Sequence, residues 1–209
     1  MPSASLNKMT VPLASDQSAS AQGLLMPKLR YRFRVSFENF GVDTESVVEL
    51  TKQVVSFARP NLTFENIDLP IYNSTLKLAG KYAWNDVQCV LRDDASGAVS
   101  RLVGQQLQKQ FDFAEMASAA AGIDYKFLTR FQILDGGNGN SEPTVLEEWQ
   151  LYGCYLQSVD YGPMAYASGT EAVEITMTLR YDNANQSDTD EALGTTVGRT
   201  VGDVVTSIG

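Results

Sequence analysis

The segment RYRFRVSF at residues 30–37 alternates without a break between polar and apolar side chains. Strict alternation over this length is typical of a β-strand with one buried face and one face in water. A second segment, VEITMTLRY at residues 173–181, alternates in the same way and carries threonine on its polar side. Two amphipathic strands near opposite ends of the folded region predict a mainly β protein.

Less regular strand segments lie between these two. They are predicted at 48–57, 61–66, 70–79, 84–92, 125–134 and 147–160. The part from Trp149 to Val159 is apolar or aromatic on both faces, which predicts a strand that is covered on both sides. The run GGNGN at 136–140 predicts a loop that joins two antiparallel strands.

One helix is predicted between the strands, over residues 97–115. Asp93, Asp94 and Ser96 suit its N-terminus through capping and the helix dipole. Apolar residues then follow at helical spacing, at Val99, Leu102, Val103, Leu107, Phe111 and Ala114. The expected fold class is therefore mainly β, an antiparallel sandwich or strongly bent barrel with one flanking α-helix.

The composition changes at both ends of the chain. Residues 1–27 are rich in Ser, Ala and other small residues, and residues 183–209 are rich in Asp, Asn, Thr and Gly. Neither segment shows a helical or strand period, so both are predicted to be flexible arms. The expected organisation is an N-terminal arm at 1–27, a β domain at 28–182 and a C-terminal arm at 183–209.

The charge of the chain restricts its chemistry. The 209 residues contain 16 basic and 25 acidic side chains and no histidine, for a net charge of −9. Without histidine, the Ser-His and Cys-His nucleophile systems are excluded, and zinc would depend on two cysteines and carboxylates. An acidic chain also lacks the cationic surface that holds nucleic acid through its phosphates. An enzyme is therefore disfavoured, and no catalytic, cofactor or metal site is predicted.

The two cysteines and the hydropathy pattern indicate the cellular compartment in which the chain is made. Cys89 and Cys154 are too few for a disulfide framework and are expected to be buried, reduced side chains. No window of about eighteen consecutive apolar residues is present, and no basic region followed by an apolar stretch opens the chain. We expect a protein that is made in a reducing cytoplasm and has no membrane-spanning segment.

Several charged groups have a functional and a structural interpretation. Arg30, Arg32 and Arg34 could form a nucleic-acid patch, but pairing with carboxylates of a neighbouring strand or subunit is favoured. Asp93 and Asp94 could bind a metal or act as an acid/base pair, but a role at the helix start is favoured. Glu147 and Glu148 point to opposite faces of a strand, which predicts a solvated strand end and not a catalytic pair.

Two further features also favour structural roles. The GGNGN run lacks the Lys-Ser/Thr sequel of a phosphate-binding loop, so a turn is predicted. Four aromatic residues at strand positions are expected in a core or interface and not as a platform for bases. These residues are Trp84, Trp149, Tyr152 and Tyr155.

The sequence thus predicts a protein with no catalytic or metal site, whose open sheet edges need a partner. Open sheet edges recruit other chains, and subunits joined edge to edge in a closed ring would remove them. Such a ring would turn one face of each strand toward a central hole. Assembly is therefore the favoured function.

The order of these segments resembles the tail tube proteins of contractile-tailed bacteriophages. The resemblance covers residues 28–185 and rests on a series of segments rather than on one motif. The series is RYRFRVSFENF, ARPNLTFENIDLPIYNSTLKLAGKYAWNDVQCVLRDD, VSRLVGQQLQKQF, EEWQLYGCYLQSVDYGPMAYAS and AVEITMTLRYDNA. Members of this family are similar to the tube proteins of type VI secretion systems and pyocin-like particles.

The resemblance implies a β-sandwich or half-open barrel that completes a continuous β-barrel lumen when a ring forms. It implies a homohexamer whose rings stack into a hollow tube inside a contractile sheath, assembled in the host cytoplasm and located in the virion tail. The implied partners are further copies of the chain, the tail sheath protein, and baseplate and tape-measure proteins. DNA would pass through the lumen without specific binding.

The resemblance also assigns residues to surfaces. Strands around 28–38, 48–57 and 170–182 are the candidates for the lumen-lining sheet, with Glu171, Glu174, Thr176 and Thr178 as wall positions. The extended stretch 58–82 is expected to contact the adjacent ring through Pro60, Asn61, Asp68, Pro70, Tyr72 and Asn73. The helix is expected to face the sheath through Arg101, Gln105, Gln108 and Lys109.

A negative lumen wall would keep DNA from adhering, provided that Arg180 is neutralised by a neighbouring carboxylate. Two alternatives belong to the same fold, namely a baseplate protein that initiates the tube and a secretion-system tube protein. An enzyme is a third alternative, which the absence of histidine disfavours.

Overall fold

The computed structural model describes residues 27–42, 47–136, 143–186 and 193. The chain divides into two compact units, Met1–Arg32 and Phe33–Gly209. The first unit ends in a turn at residues 29–32, in which the Arg32 amide donates a hydrogen bond to the Leu29 carbonyl at 3.2 Å. The predicted arm at 1–27 lies outside the described residues except for its last residue.

The described part of the second unit contains eleven strands and three helices. The strands are β1 Phe33–Glu38, β2 Val54–Phe57, β3 Leu62–Ile71, β4 Ser74–Trp84, β5 Val87–Arg92, β6 Phe111–Asp112, β7 Ala117–Ser118, β8 Phe127–Leu134, β9 Val145–Asp160, β10 Glu174–Arg180 and β11 Asn183–Gln186. The helices are α1 Val47–Lys52, α2 Ala98–Gln110 and α3 Gly122–Tyr125.

One bent antiparallel sheet organises the second unit. Its strand order is β1-β8-β9-β10-β5-β2, and β11 also pairs with β9. The first half of β9 pairs with β8 and β11, and the second half pairs with β10. We call the strands on these two sides the first half-sheet (β1, β8, start of β9, β11) and the second half-sheet (end of β9, β10, β5, β2). The described sheet is not closed, because β1 and β2 stand at its two ends.

The bend of the sheet lies at Gly153, in the middle of β9. Gly153 has φ +67, in the left-handed region that favours glycine. A Cβ at this position would lie 2.2 Å from Asp182 Oδ2. The Asp182 carboxylate also accepts a 2.6 Å hydrogen bond from Lys126 Nζ, and its amide donates to the Tyr152 carbonyl at 3.0 Å. The corner is therefore built around a residue without a side chain.

The core lies between the half-sheets and α2. It contains residues of both half-sheets, such as Val35, Phe37, Leu151, Ile175 and Met177. The contribution of α2 is the buried group Val99, Leu102, Val103 and Gln106. Burial of large apolar side chains is the main stabilising term for such a fold.

Two glutamines of α2 bind the backbone of other elements. Gln106 is fully buried, accepts from the Gly41 amide at 3.0 Å and donates to the Tyr125 carbonyl at 2.6 Å. Gln110 donates to the Leu156 carbonyl at 2.9 Å and accepts from the Leu156 amide at 2.8 Å. Gln110 thus binds both backbone polar groups of Leu156, next to the register shift between β9 and β10.

The predicted fold class is confirmed, and so are both alternating strands. In β1, Val35 and Phe37 are buried, and in β10 the same holds for Ile175, Met177 and Leu179. The predicted strand at 125–134 corresponds to β8. The loop at 136–140 lies between the antiparallel strands β8 and β9, although only Gly136 of it is described.

The predicted strand at 48–57 is wrong in its first half, where α1 ends at Lys52 and buries Leu50. The predicted strands at 61–66 and 70–79 are one hairpin, whose turn at Tyr72 and Asn73 lies inside the second of them. Trp84 ends β4 instead of opening the next strand.

Three further boundaries differ. Helix α2 ends at Gln110 because Phe111 is extended and pairs with β7, so it does not reach 115. β9 is not covered on both faces, because its register shifts place Leu151, Cys154 and Leu156 in the core and leave Tyr152 40% exposed. Residues Asn183–Gln186, at the start of the predicted C-terminal arm, form β11; most of the rest of that arm lies outside the described residues.

We expect Gly153→Ala to destabilise the fold more than Gly97→Ala. Both glycines have φ near +65, so each alanine costs about 1–2 kcal/mol for its backbone conformation. Only at Gly153 must a carboxylate also move, because Gly97 has no atom within 4 Å of its Cβ position. Thermal unfolding measures both, and equal losses would show that the Asp182 contact does not matter.

Candidate assembly surfaces

The β3–β4 hairpin extends from the sheet. Among the described strands, β3 and β4 pair only with each other, from Leu62 opposite Trp84 to Ile71 opposite Ser74. Tyr72 occupies the two-residue turn at φ +44 and is fully exposed. An isolated two-stranded hairpin is marginally stable in water, so a hairpin of this length needs support from another surface.

The outer half of the hairpin has one apolar and one polar face. Leu69 lies opposite Leu76 and Ile67 lies opposite Leu78, whereas the adjacent pair on the other face is Asp68 and Lys77. We define the apolar hairpin face as the apolar residues on the same side of the hairpin as Leu69 and Leu76, whose side chains are 43–55% exposed. These are Ile67, Leu69, Ile71, Leu76 and Leu78.

The base of the hairpin is fixed to the end of β10 and the start of β11 by a ring contact and a hydrogen bond. The rings of Trp84 and Tyr181 lie 5.6 Å apart between centroids, and Trp84 Nε1 donates to Asn183 Oδ1 at 3.2 Å. Asn85 closes the base, because its amide donates to the Asn61 carbonyl at 2.9 Å. The hairpin is therefore anchored at one end and exposed along the rest.

A bulge in β4 separates the anchored half from the apolar hairpin face. The register shifts between Phe64 and Asn66, opposite Gly80. A Cβ on Gly80 would lie 2.9 Å from the backbone oxygen of Glu65, closer than real Cβ atoms approach. The bulge therefore requires glycine for a close backbone approach.

The residues predicted to contact an adjacent ring all lie in or beside this hairpin. Asp68 and Pro70 are on its polar face, Tyr72 and Asn73 form its turn, and Pro60 and Asn61 precede it. The apolar hairpin face is not among the surfaces predicted from the sequence. The alternation of Ile67, Leu69 and Ile71 with polar residues and proline was the available signal.

The predicted wall positions lie on or near β10. Glu174, Thr176 and Thr178 share its outer face, and Glu171 lies in the preceding loop. Their neighbours across the ladder are Arg92, Val90 and Gln88 on one side, and Asp160 and Ser158 on the other. Arg180 has a carboxylate partner, Asp86, at 3.5 Å.

The candidate wall strands do not form one sheet region. β10 and β2 both flank β5 in the second half-sheet, but β1 lies at the far edge of the first half-sheet. Their faces therefore belong to different halves of the bent sheet. The assignment of wall residues remains a prediction.

A connected polar network covers the outer face of the first half-sheet. Arg34 donates to Gln132 Oε1 at 2.9 and 2.7 Å, and Gln132 donates to Glu148 at 2.6 Å. Burial raises the pKa of Glu148, but hydrogen bonds from Gln150 and Gln132 outweigh it and the pKa lies below its ordinary value. Arg130 also binds Glu38 at 2.7 Å. Arg34 thus pairs with the Gln132 side-chain amide, and this amide in turn binds the Glu148 carboxylate.

Glu147 is not a solvated strand end. Its side chain is buried and accepts hydrogen bonds from Arg59 and from Trp149 Nε1, the latter at 2.6 Å. The expectation for Glu147 is wrong because an arginine before β3 covers it. A buried carboxylate with two donors of this kind is a structural link, not an acid-base group.

The helix positions predicted to face a sheath differ in their contacts. Arg101 is exposed, and Gln108 donates to Asp112 at 2.8 Å. Lys109 donates to the carbonyls of Asn39 and Gly41, at 3.2 and 2.8 Å, and Gln105 lies 3.5 Å from the Val42 amide. Three of these side chains, Gln105, Gln108 and Lys109, therefore already bind groups within the subunit.

The two cysteines do not have the environment of a reactive thiol. Both cysteines are free and buried, as expected. Burial raises the pKa of Cys89 to about 12 and the pKa of Cys154 to about 11, so neither is a thiolate near neutral pH. Within the described ranges, no group of three or more Cys, Asp or Glu side chains could hold a metal ion. No described helix is long and apolar enough to cross a membrane.

Solved structures share this fold. No protein-family model and no curated protein sequence matches the chain. A chain of the anti-feeding prophage cap, which terminates its tube, has a TM-score of 0.56 and 14% identity, and the match covers 83% of this chain and 99% of the other.

Two chains of the extracellular contractile injection system PVC are also similar. One, from the sheath/tube terminator, has a TM-score of 0.54 and 13% identity over 79% of this chain and 99% of its own. The other, from the sheath-tube complex, has the same score and identity over 83% and 99%. The fold is that of proteins in the tubes and caps of contractile injection systems, which confirms the resemblance at the level of the fold.

We expect Gly80→Ala to loosen the hairpin and leave the core intact. The new Cβ would press on the Glu65 backbone, while the hairpin lies outside the buried cluster. Amide hydrogen exchange should accelerate in residues 62–84 with a small change in unfolding temperature. Gly104→Ala is the control, because its Cβ would meet nothing within 4 Å. Unchanged exchange in the hairpin of the Gly80 variant would contradict the prediction.

Proposed function

We propose that this chain is a structural subunit of the tube of a contractile injection particle. The observation that carries the proposal is the β3–β4 hairpin, whose apolar hairpin face is exposed although the subunit has a complete core of its own. A contiguous exposed apolar surface indicates a protein contact. The fold shared with chains of tubes and tube caps is consistent with a contact between copies.

The finer proposal is the phage tail tube that the sequence resemblance implies. Six copies form a ring, rings stack through the hairpins, and the hollow tube conducts DNA inside a contractile sheath. The two edge strands, β1 and β2, are available in the described sheet for pairing with neighbouring copies. Pairing an edge of one subunit with the other edge of the next closes a ring and removes both edges.

The outer face of β10 is proposed to line the lumen. It carries the hydroxyl side chains of Thr176 and Thr178, and its one arginine, Arg180, pairs with Asp86, so it offers no isolated cation that would hold a phosphate backbone. Six copies of a chain with net charge −9 carry −54, which repels a polyanion over the whole ring.

A second candidate function is a tube terminator or cap. Two of the structural neighbours described above come from a tube-terminating cap and from a sheath/tube terminator. A terminator forms one ring at the end of a tube and does not polymerise by itself. Copy number per particle separates the two functions.

The first test is electron microscopy of the purified chain. A tube subunit should form hollow tubes with a regular axial repeat, and a terminator should form single rings. Monomers at all concentrations would contradict both functions. Deleting residues 66–74 should leave rings or folded subunits that no longer stack.

A matched pair of variants tests the hairpin without a deletion. Leu69→Ser with Leu76→Ser removes one cross-strand pair of the apolar hairpin face, and Asp68→Ser with Lys77→Ser removes the adjacent pair of the polar face. We expect the first variant to shorten or abolish tubes, because it removes apolar area from the contact, and the second to retain them. Sedimentation measures the assembled fraction, and equal behaviour of the two variants would contradict the role of the apolar hairpin face.

A further inference from the structure

The hairpin and the β9–β10 loop leave the second half-sheet at opposite ends. β4 ends at Trp84, directly before β5, and the start of β5 pairs with the end of β10, with Val87 opposite Leu179. The β9–β10 loop, residues 161–173, joins the other ends of its strands, where Arg92 lies opposite Glu174. The Asp93 amide donates to the Val173 carbonyl at 2.9 Å and fixes this second end.

The β9–β10 loop presents a second exposed apolar surface. Tyr161 is 42% exposed, Met164 is 78% exposed and Tyr166 is fully exposed. The backbone of the loop is held by short-range bonds, from the Gly162 amide to Asp160 Oδ1 at 2.9 Å and from the Ser168 amide to the Ala165 carbonyl at 3.1 Å. Aromatic and methionine side chains in such a setting are typical of contact residues.

The hairpin has no net charge, because Glu65 and Asp68 on β3 balance Lys77 and Lys81 on β4. The β9–β10 loop and the strand ends beside it carry Asp160, Glu171 and Glu174, and Arg92 lies opposite Glu174. A hairpin without net charge is not repelled by this acidic end, so the contact depends on burial of apolar side chains.

The hairpin strands are longer than the strands of the second half-sheet beside which they start. β4 has eleven residues and β10 has seven. At about 3.3 Å per residue, β4 spans about 36 Å and β10 about 23 Å. The outer half of the hairpin is exposed along this length and is available for contact with a second subunit.

The geometry points to the β9–β10 loop of a second copy as the surface that receives the apolar hairpin face. This inference rests on the proposed tube function and names the partner surface of the hairpin. Contact between two different surfaces at opposite ends of one subunit is head to tail, so each copy leaves one hairpin and one loop available for the next. The contact therefore repeats without limit along the direction of the strands, as stacking requires.

Cysteine cross-linking between two variants of the full chain tests the inference. One variant carries Ile71→Cys on the hairpin and the other carries Tyr166→Cys in the loop. The native thiols do not interfere, since Cys89 and Cys154 are buried. After mixing and mild oxidation, we expect a disulfide-linked dimer in the mixture and little in either variant alone. Mixing Ile71→Cys with Ile123→Cys is the control, because Ile123 is 81% exposed on α3 and outside the loop.

The outcomes separate the contact from the function. Tubes that assemble without the Ile71–Tyr166 cross-link, or that cross-link Ile71 to Ile123 instead, overturn the loop as partner and leave the tube function intact. A wild-type chain that stays monomeric overturns both. As a second measurement, Met164→Ser with Tyr166→Ser should lower the assembled fraction at least about tenfold, while rings persist; unchanged assembly overturns the inference.

Discussion

The structure depends on one strand that belongs to both halves of the sheet. β9 pairs with β8 and β11 before Gly153 and with β10 after it. A straight strand of this length would extend past the core, and the bend at Gly153 brings Leu151 and Leu156 onto the same side. Beside the register shift between β9 and β10, the Gln110 side chain binds both backbone polar groups of Leu156. The curvature of the sheet thus comes from a glycine corner and a glutamine of the packed helix, two local features on which the position of every other strand depends.

Because the bent sheet does not close, the subunit has a fully buried core but keeps strands with one unpaired edge at the two ends of the described sheet. The apolar interior is covered by both half-sheets and α2, whereas β1 and β2 remain as edges of the described sheet. The β3–β4 hairpin begins at one such margin, since β2 leads into it. Its base is stabilised by Trp84 against Tyr181, but its outer half has an apolar face that no described element covers. Under the proposed function, folding and assembly are assigned to different parts of one chain: the buried cluster stabilises the monomer, and the margins are the proposed surfaces for other copies.

The sequence predicted those parts of the fold in which the side-chain period is regular. Val35 and Phe37, or Ile175 and Met177, occupy buried positions because simple alternation holds throughout their strands. The prediction is wrong where a bulge changes the phase of the side-chain alternation, as in β9, where Gly153 shifts Cys154 to the inner side. It also failed at the hairpin turn, because Tyr72 adopts a left-handed conformation more typical of glycine or asparagine. Glu147 is buried and not solvated as predicted, because its partner, Arg59, is distant in sequence and could not be paired with it from a local pattern. Local patterns define periods, and long-range contacts define turns, bulges and buried charges.

The arrangement of charge on the second half-sheet changes how an acidic protein would conduct DNA. The two arginines of β5 and β10 each have a carboxylate nearby: Arg180 binds Asp86 at 3.5 Å, and Arg92 lies opposite Glu174 in the ladder. The face between them carries Thr176, Thr178 and Gln88, which are polar but uncharged, and Asp160 lies opposite Thr176 on the β9 side. If this face lines the lumen as proposed, each of its arginines has a carboxylate neighbour, and Asp160 adds a negative charge. Such a wall would not bind phosphates, because binding requires cations that can exchange a carboxylate or a counterion for a phosphate at little cost. Matching each arginine on the wall therefore matters more for passage than the total charge of the ring.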